Sequence, residues 1–271
     1  MSDNRAIGVF DSGLGGLTVV KELFKTLPNE DIIYFGDTGR VPYGTRSVET
    51  IKKYARQDEQ FLLNQDVKLI IAACGTVSSV AADTAEELPV PFFEVVSHAA
   101  KAAVKATKNG KIAVIGTNAT VKSRQHEKAI LSLNPKAQVL NQSCTLFVPL
   151  VEEGWYSADD CVVVETVSRY LKPVFEFGAD TLILGCTHYP ILSEAITKVL
   201  GDEVTLINAG TAIADAVKEY LIENDLENNS SNKSHSFYVS DKPDSFLKQA
   251  TVLLGCDIDG NTLQKVDINN L

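Results

Sequence analysis

The chain has 271 residues, 45% hydrophobic and 22% charged, with a formal net charge of −10. It is long enough for one large domain or two ordinary ones and too apolar for a disordered segment, and it lacks the basic clusters of a duplex binder, which argues against direct nucleic-acid contact. No apolar run reaches the ~18 residues of a membrane span, the N-terminus has no signal-peptide core, and five widely spaced cysteines cannot all pair, so a disulfide-free cytoplasmic protein is expected.

In chain order, short apolar runs predict strands at 7–10, 31–35 and 67–72, a helix at 77–87, and further strands at 112–115, 181–184 and 204–207. A helix from 211 to about 226, a polar mobile loop at 228–234, a strand at 236–240, a helix at 243–254 and a strand at 263–268 complete the reading. Strands alternating with amphipathic helices imply an α/β fold with a mostly parallel sheet. Ligands bind such sheets beyond the carboxyl ends of the strands, where Asp11, Cys74, Thr117 and Cys186 all fall. Ile7-Gly8-Val9-Phe10-Asp11-Ser12-Gly13 is echoed by Ile112-Ala113-Val114-Ile115-Gly116-Thr117-Asn118, and the two cysteine runs stand at a similar offset. Two pseudo-symmetric parallel-sheet α/β domains are therefore expected, 1–97 plus 209–271 and 98–208. The chain crosses over at 91–98 and 208–211, and the active site lies between the domains.

Cys74 ends an apolar run and precedes Gly75-Thr76-Val77-Ser78-Ser79, which offers backbone and hydroxyl donors at the start of a helix. A thiol there is either a small core residue or a group biased toward thiolate by the helix dipole. Cys186-Thr187-His188-Tyr189-Pro190 repeats the arrangement, with Pro190 suited to the first turn of the next helix. His188 can hold a neighbouring thiolate, supply a proton, or simply be satisfied by backbone. A metal site of Cys74, Cys186 and His188 stays open, although the paired C-x-x-C spacing is missing. Two thiols facing one pocket could remove a proton from one side of a carbon and return it from the other, the chemistry of a racemase that needs no cofactor.

Asp11 sits in a glycine-rich turn that lacks the Gly-Lys-Ser/Thr ending of a phosphate loop. It could orient an ammonium group or act as a base beside Cys74. Locally, Pro42-Tyr43-Gly44 reads as a surface turn, Glu152-Glu153 as a solvated charge pair, and Cys144, Cys161 and Cys256 as packing residues.

Together these motifs resemble the glutamate racemases of bacterial cell-wall synthesis. The likeness runs through Phe-Asp-Ser-Gly-x-Gly-Gly-Leu at 10–17, Pro-Tyr-Gly at 42–44, Ala-Cys-x-Thr at 73–76, Leu-Val-Glu-Glu-Gly at 150–154, Gly-Cys-Thr-His-Tyr-Pro at 185–190 and Phe-Tyr-Val-Ser-Asp at 237–241. The resemblance implies that Cys74 and Cys186 are the acid/base pair, acting on D- and L-glutamate respectively. Asp11 would assist Cys74, and His188 would assist Cys186 with support from Glu152. Asp11, Ser12, Pro42, Tyr43, Gly44, Gly75, Thr76, Thr117, Thr120, Thr187 and His188 would line the substrate. It implies no cofactor, no metal and no membrane partner, and it allows a homodimer. One departure is Gly75, where the family usually carries asparagine. A lost hydrogen bond to a charged group costs on the order of 1.5–3 kcal/mol, so Gly75→Asn is expected to tighten glutamate binding or at least be tolerated.

Overall fold

In the computed structural model, residues 2–230, 233–241, 243–256, 258 and 260–268 are described. The first half builds β1 (Ile7–Asp11), α1 (Leu17–Thr26), β2 (Ile32–Gly36), α2 (Val48–Leu63), β3 (Leu69–Ala72), α3 (Gly75–Val80) and β4 (Phe92–Glu94). Next come α4 (Val95–Ala106), β5 (Lys111–Gly116), α5 (Asn118–Ser123), α6 (Gln125–Leu133), β6 (Gln138–Ser143), α7 (Phe147–Glu152), α8 (Cys161–Phe177), β7 (Thr181–Leu184), α9 (Ser193–Leu200) and β8 (Thr205–Asn208). The chain ends with α10 (Ala209–Glu223), β9 (His235–Val239), α11 (Pro243–Leu254) and β10 (Leu263–Lys265).

These strands form two sheets, ordered β10-β9-β2-β1-β3-β4 and β6-β5-β7-β8, and every pairing is parallel. Strands β1, β3, β5 and β7 are almost wholly buried, as expected for parallel strands covered by helices on both faces. The block β2-β1-β3-β4 and the block β6-β5-β7-β8 follow the same order, which is the structural form of the sequence repeat. The registers also match: Ile7 pairs with Leu69, and Ile112 with Thr181. Cys74 and Cys186 therefore stand at the same step beyond equivalent strands.

Caps explain how the chain passes between the sheets. Glu94, the last residue of β4, accepts from the N–H groups of Val96 and Ser97 and starts α4. That helix leaves the first sheet and packs on α6, β7 and β8, so position 97/98 lies inside it. Asn208 caps α10 through Gly210 N–H, and α10 returns to pack on α1 and α4. Among the described residues, no helix is long and apolar enough to cross a membrane.

Several local expectations are corrected. Strands β4 and β6 lack a strong apolar signal because both are sheet edges with half-buried side chains. The helix expected at 77–87 starts two residues earlier and breaks at Ala81. There the Thr84 hydroxyl bonds to the Ala81 carbonyl and a tighter 3-10 turn runs from Ala82 to Glu87. In the polar stretch 228–234, residues 231 and 232 lie outside the described residues, but both ends are pinned. Asn228 N–H donates to Glu30 at 2.8 Å and Ser234 N–H to Asp31 at 2.6 Å. Cys144 is buried, whereas Cys161 and Cys256 are exposed and do not pack a core.

Candidate active site

Residues just past the carboxyl ends of β1, β3, β5 and β7 meet one another: Gly15 lies against Thr187, Gly75 against Gly185 and Thr76 against Thr117. Cys74 is the N-cap residue of α3 and is 4% exposed; Cys186 is partly exposed in the loop after β7. The loops that carry them touch: a Cβ built on Gly75 would lie 3.8 Å from the Cys186 Cα and 2.3 Å from the Gly185 carbonyl oxygen. Asparagine therefore does not fit at position 75 in this arrangement. Accepting a side chain there requires the two loops to shift apart, because both sides of the contact are backbone.

The surroundings of the two thiols differ. The Cys74 sulfur lies 3.6 Å from Ser12 Oγ. Burial first, and then the charge of Asp11, push its thiol up to about 12, so it holds its proton at neutral pH. The Cys186 sulfur lies 4.0 Å from His188 Nδ1, and His188 Nε2 lies 3.2 Å from Glu152 Oε1, close enough for an ion pair but off the line of a good hydrogen bond. Burial alone would lower the His188 pKa; Cys186 and Glu152 outweigh it and raise the imidazole to about 10. A cation thus stands beside the Cys186 sulfur. Glu152 is not merely a solvated charge, as its local sequence suggests. It belongs to this side of the site, on α7.

Asp11 is buried, and one of its oxygens accepts from Gly13 N–H at 3.0 Å while Oδ1 has no partner. Burial raises its pKa, opposed by His188 and by the backbone N–H groups of Gly16, Gly13 and Ser12. A buried, unpartnered carboxylate oxygen in this position suits an ammonium group. Thr76 Oγ1 lies 3.2 Å from Thr117 Oγ1, which lies 3.1 Å from Thr120 Oγ1, so hydroxyls past strands of both sheets form one chain. Thr117 also caps α5 by accepting from Thr120 N–H.

The structure thus brings Asp11, Ser12, Cys74, Gly75, Thr76, Thr117, Thr120, Glu152, Cys186, Thr187 and His188 together at one junction. Gly44 joins them, because a Cβ there would lie 3.1 Å from the Thr117 Cβ. Pro42 is exposed. Tyr43 is fully buried rather than part of a surface turn, and its hydroxyl points to Asp37 and Asp58. Among the described residues, no three His, Cys, Asp or Glu side chains are grouped to hold a metal ion. Cys74, Cys186 and His188 therefore do not form such a group.

Two participants escape sequence reasoning. Thr18 Oγ1 lies within hydrogen-bond reach of the carbonyl oxygens of Gly15 (2.9 Å) and Thr187 (2.8 Å), and donating its one hydrogen to Thr187 ties α1 to the loop of the second thiol. Tyr34, inside β2, donates to Gly13 O at 2.8 Å and holds the turn after Asp11. Neither carries a local motif. Gly15 matters for the same contact: a Cβ there would lie 2.1 Å from Thr187 Oγ1 and 2.6 Å from His188 Nδ1.

Residues 7–217 match the model of the Asp/Glu/Hydantoin racemase family. The chain belongs to that family. It is therefore an enzyme of the isomerase class. It is 46% identical over 256 residues to the glutamate racemase of Syntrophus aciditrophicus, covering 94% of each chain. It is 44% identical over 253 residues to that of Geobacter metallireducens, covering 93% of each. The crystal structure of glutamate racemase from Francisella tularensis in complex with D-glutamate superposes with a TM-score of 0.92. The two are 40% identical, and the match covers 99% of this chain and 100% of that one.

Proposed function

We propose that this chain interconverts L-glutamate and D-glutamate by two-base proton transfer between Cys74 and Cys186, without a cofactor. The observation that carries this reading is the placement of the two thiols at equivalent steps of a repeated strand order, on loops that meet. The names and identities of the relatives support glutamate as the substrate.

In one direction a Cys186 thiolate, paired with the His188 imidazolium, takes the α-proton and becomes a thiol. The electron pair left on the α-carbon delocalises into the substrate carboxylate. The Cys74 thiol then gives its proton to the opposite face and becomes a thiolate, and the reverse reaction exchanges these roles. A free thiol has a pKa near ~8.5, so each thiolate needs local support. His188 supplies it on one side. On the other, the Ser12 hydroxyl and the N–H groups at the start of α3 stabilise the developing charge on Cys74. Asp11 Oδ1 receives the substrate ammonium, and the Thr76–Thr117–Thr120 hydroxyls with nearby backbone N–H groups receive carboxylate oxygens.

The product D-glutamate would supply peptidoglycan synthesis in the cytoplasm, and the acidic chain would act without nucleic acid. The test is a chiral assay with each enantiomer of glutamate and of aspartate. Racemisation of glutamate in both directions is expected. Turnover of aspartate alone, or of neither, would overturn the substrate assignment.

A further inference from the structure

A buried polar cluster lies beside the site without entering the proposed chemistry. Asp37, just beyond β2, and Asp58, on α2, have no exposed surface. The Tyr43 hydroxyl sits between them, in contact with Asp37 Oδ2 and 3.0 Å from Asp58 Oδ2. Arg40 spans the same pair, with Nε 2.5 Å from Asp37 Oδ2 and Nη2 3.0 Å from Asp58 Oδ1. Its remaining amino group donates to Gln57 at 2.6 Å, and its guanidinium lies 4.1 Å from the Tyr54 ring centroid. Ser240 donates to Asp37 Oδ1 at 2.7 Å.

Counting hydrogens decides the protonation. A phenol has one hydrogen and can donate to one carboxylate. Its second close oxygen contact needs a proton from the other side. Asp37 already accepts from Ser240 and Arg40 and makes the shorter contact to Tyr43. Asp58 accepts from Arg40 through Oδ1, which leaves Oδ2 facing the phenol oxygen. Charge agrees: Arg40 balances one buried carboxylate, and a second ionised one beside it would be strongly disfavoured.

We propose that Asp58 is a neutral carboxylic acid that donates to Tyr43, which donates to Asp37, and that this relay is a positioning device for the 38–46 loop. Burial, then the charge of Asp37, hold Asp58 well above the usual carboxylate range. Burial and both carboxylates hold the Tyr43 phenol in its protonated form. Among the described residues, the other ionisable neighbours named by contact or charge are Tyr54, whose ring lies against Tyr43 and Arg40, and Glu59, both on α2. Glu59 accepts from Thr84 at 2.6 Å and is pushed up to about 7, mainly by burial. The loop matters because it seats Gly44 against Thr117, the hydroxyl that joins the two sheets. The protonation assignment stands alone; the effect on turnover rests on the racemase reading.

Asp58→Asn is the isostere of the acid: its amide N–H donates to Tyr43 and its carbonyl accepts from Arg40. Infrared or carboxyl NMR spectra should show a protonated aspartic acid at neutral pH that vanishes in Asp58→Asn, and its absence from the wild type overturns the assignment. A group that is neutral when folded and ionised when unfolded costs stability as pH rises above its unfolded pKa. The Tm of Asp58→Asn should therefore gain on the wild type as pH rises above about 4. A Tm difference that stays flat as pH rises above about 4 would mean that Asp58 is ionised when folded. For the positioning role, Asp58→Asn should keep kcat/KM within about twofold. Asp58→Ala should lose about tenfold, chiefly in KM, through the unpaired Tyr43. A folded Asp58→Ala with unchanged KM would refute the positioning role, while the spectra would still decide the proton.

Discussion

Replacing Gly75 by alanine or asparagine probes how closely the two thiol-bearing loops must meet. A Cβ at 75 would lie 2.3 Å from the Gly185 carbonyl oxygen, so reaching ordinary contact requires a separation of about 1 Å in a close-packed interior. Neither partner can turn aside as a side chain would. Gly185 cannot retreat either, because its N–H is bonded to Ile115 O at 2.8 Å and the His126 ring stands behind it. The adjoining space beside Ala73, Gly75, Gly185 and Cys186 is a cavity of about 10 Å³, too small to accept displaced backbone. Overpacking of this kind costs about 1–3 kcal/mol in stability. Parting the thiols by about 1 Å costs about 10²-fold in rate. An asparagine amide could return on the order of 1.5–3 kcal/mol of binding, but as uniform binding it would lower KM without restoring kcat. Gly75→Ala should therefore lose about 10²-fold in kcat, and Gly75→Asn should lose as much in kcat whatever its KM. The assay is steady-state racemisation in both directions, followed by circular dichroism, with Tm measured alongside. Wild-type kcat in Gly75→Ala would refute the reasoning, since alanine adds only the clashing atom.

Other expectations follow from the same junction. His188 has its pKa raised on folding to about 10, so the stability it contributes is complete below about pH 6.5 and fades as pH rises through about 10. Glu152→Gln removes one of its two partners and should shift its NMR titration to lower pH; an unmoved titration would leave Cys186 as the sole cause. Thr18→Val should leave the Thr187 carbonyl short of a donor and destabilise the protein by about 1–3 kcal/mol, read from denaturant midpoints. A loss below about 0.5 kcal/mol would show that the contact carries nothing beyond an ordinary surface substitution.

Much of this was legible in the residues. The buried strands β1, β3, β5 and β7 announce themselves as continuous apolar runs, and the residues just past them are small, polar or ionisable where the fold needs chemistry. Edge strands β4 and β6 were silent because half-buried residues need not be apolar. What no local pattern could show is contact across the two sheets. By sequence Gly75 reads as a missing side chain, whereas the fold sets the Gly185 carbonyl against it. By sequence Tyr43 reads as a turn residue, whereas its hydroxyl lies between two carboxylates. Asp37 did carry a signal, an acidic residue at a strand end like Asp11, but its partner Asp58 is one charge among many on α2.

In the two-thiol scheme, Cys74 and Cys186 serve opposite faces of one α-carbon. Solvent deuterium incorporation into each glutamate enantiomer tests it most directly, in the wild type and in Cys74→Ala and Cys186→Ala. The two-thiol scheme predicts that the wild type places deuterium in the newly formed enantiomer from either side. Each variant, still folded, should lose racemisation by about 10²–10⁴-fold or more. Near-normal racemisation in either variant, or racemisation with the original α-hydrogen fully retained, would contradict it.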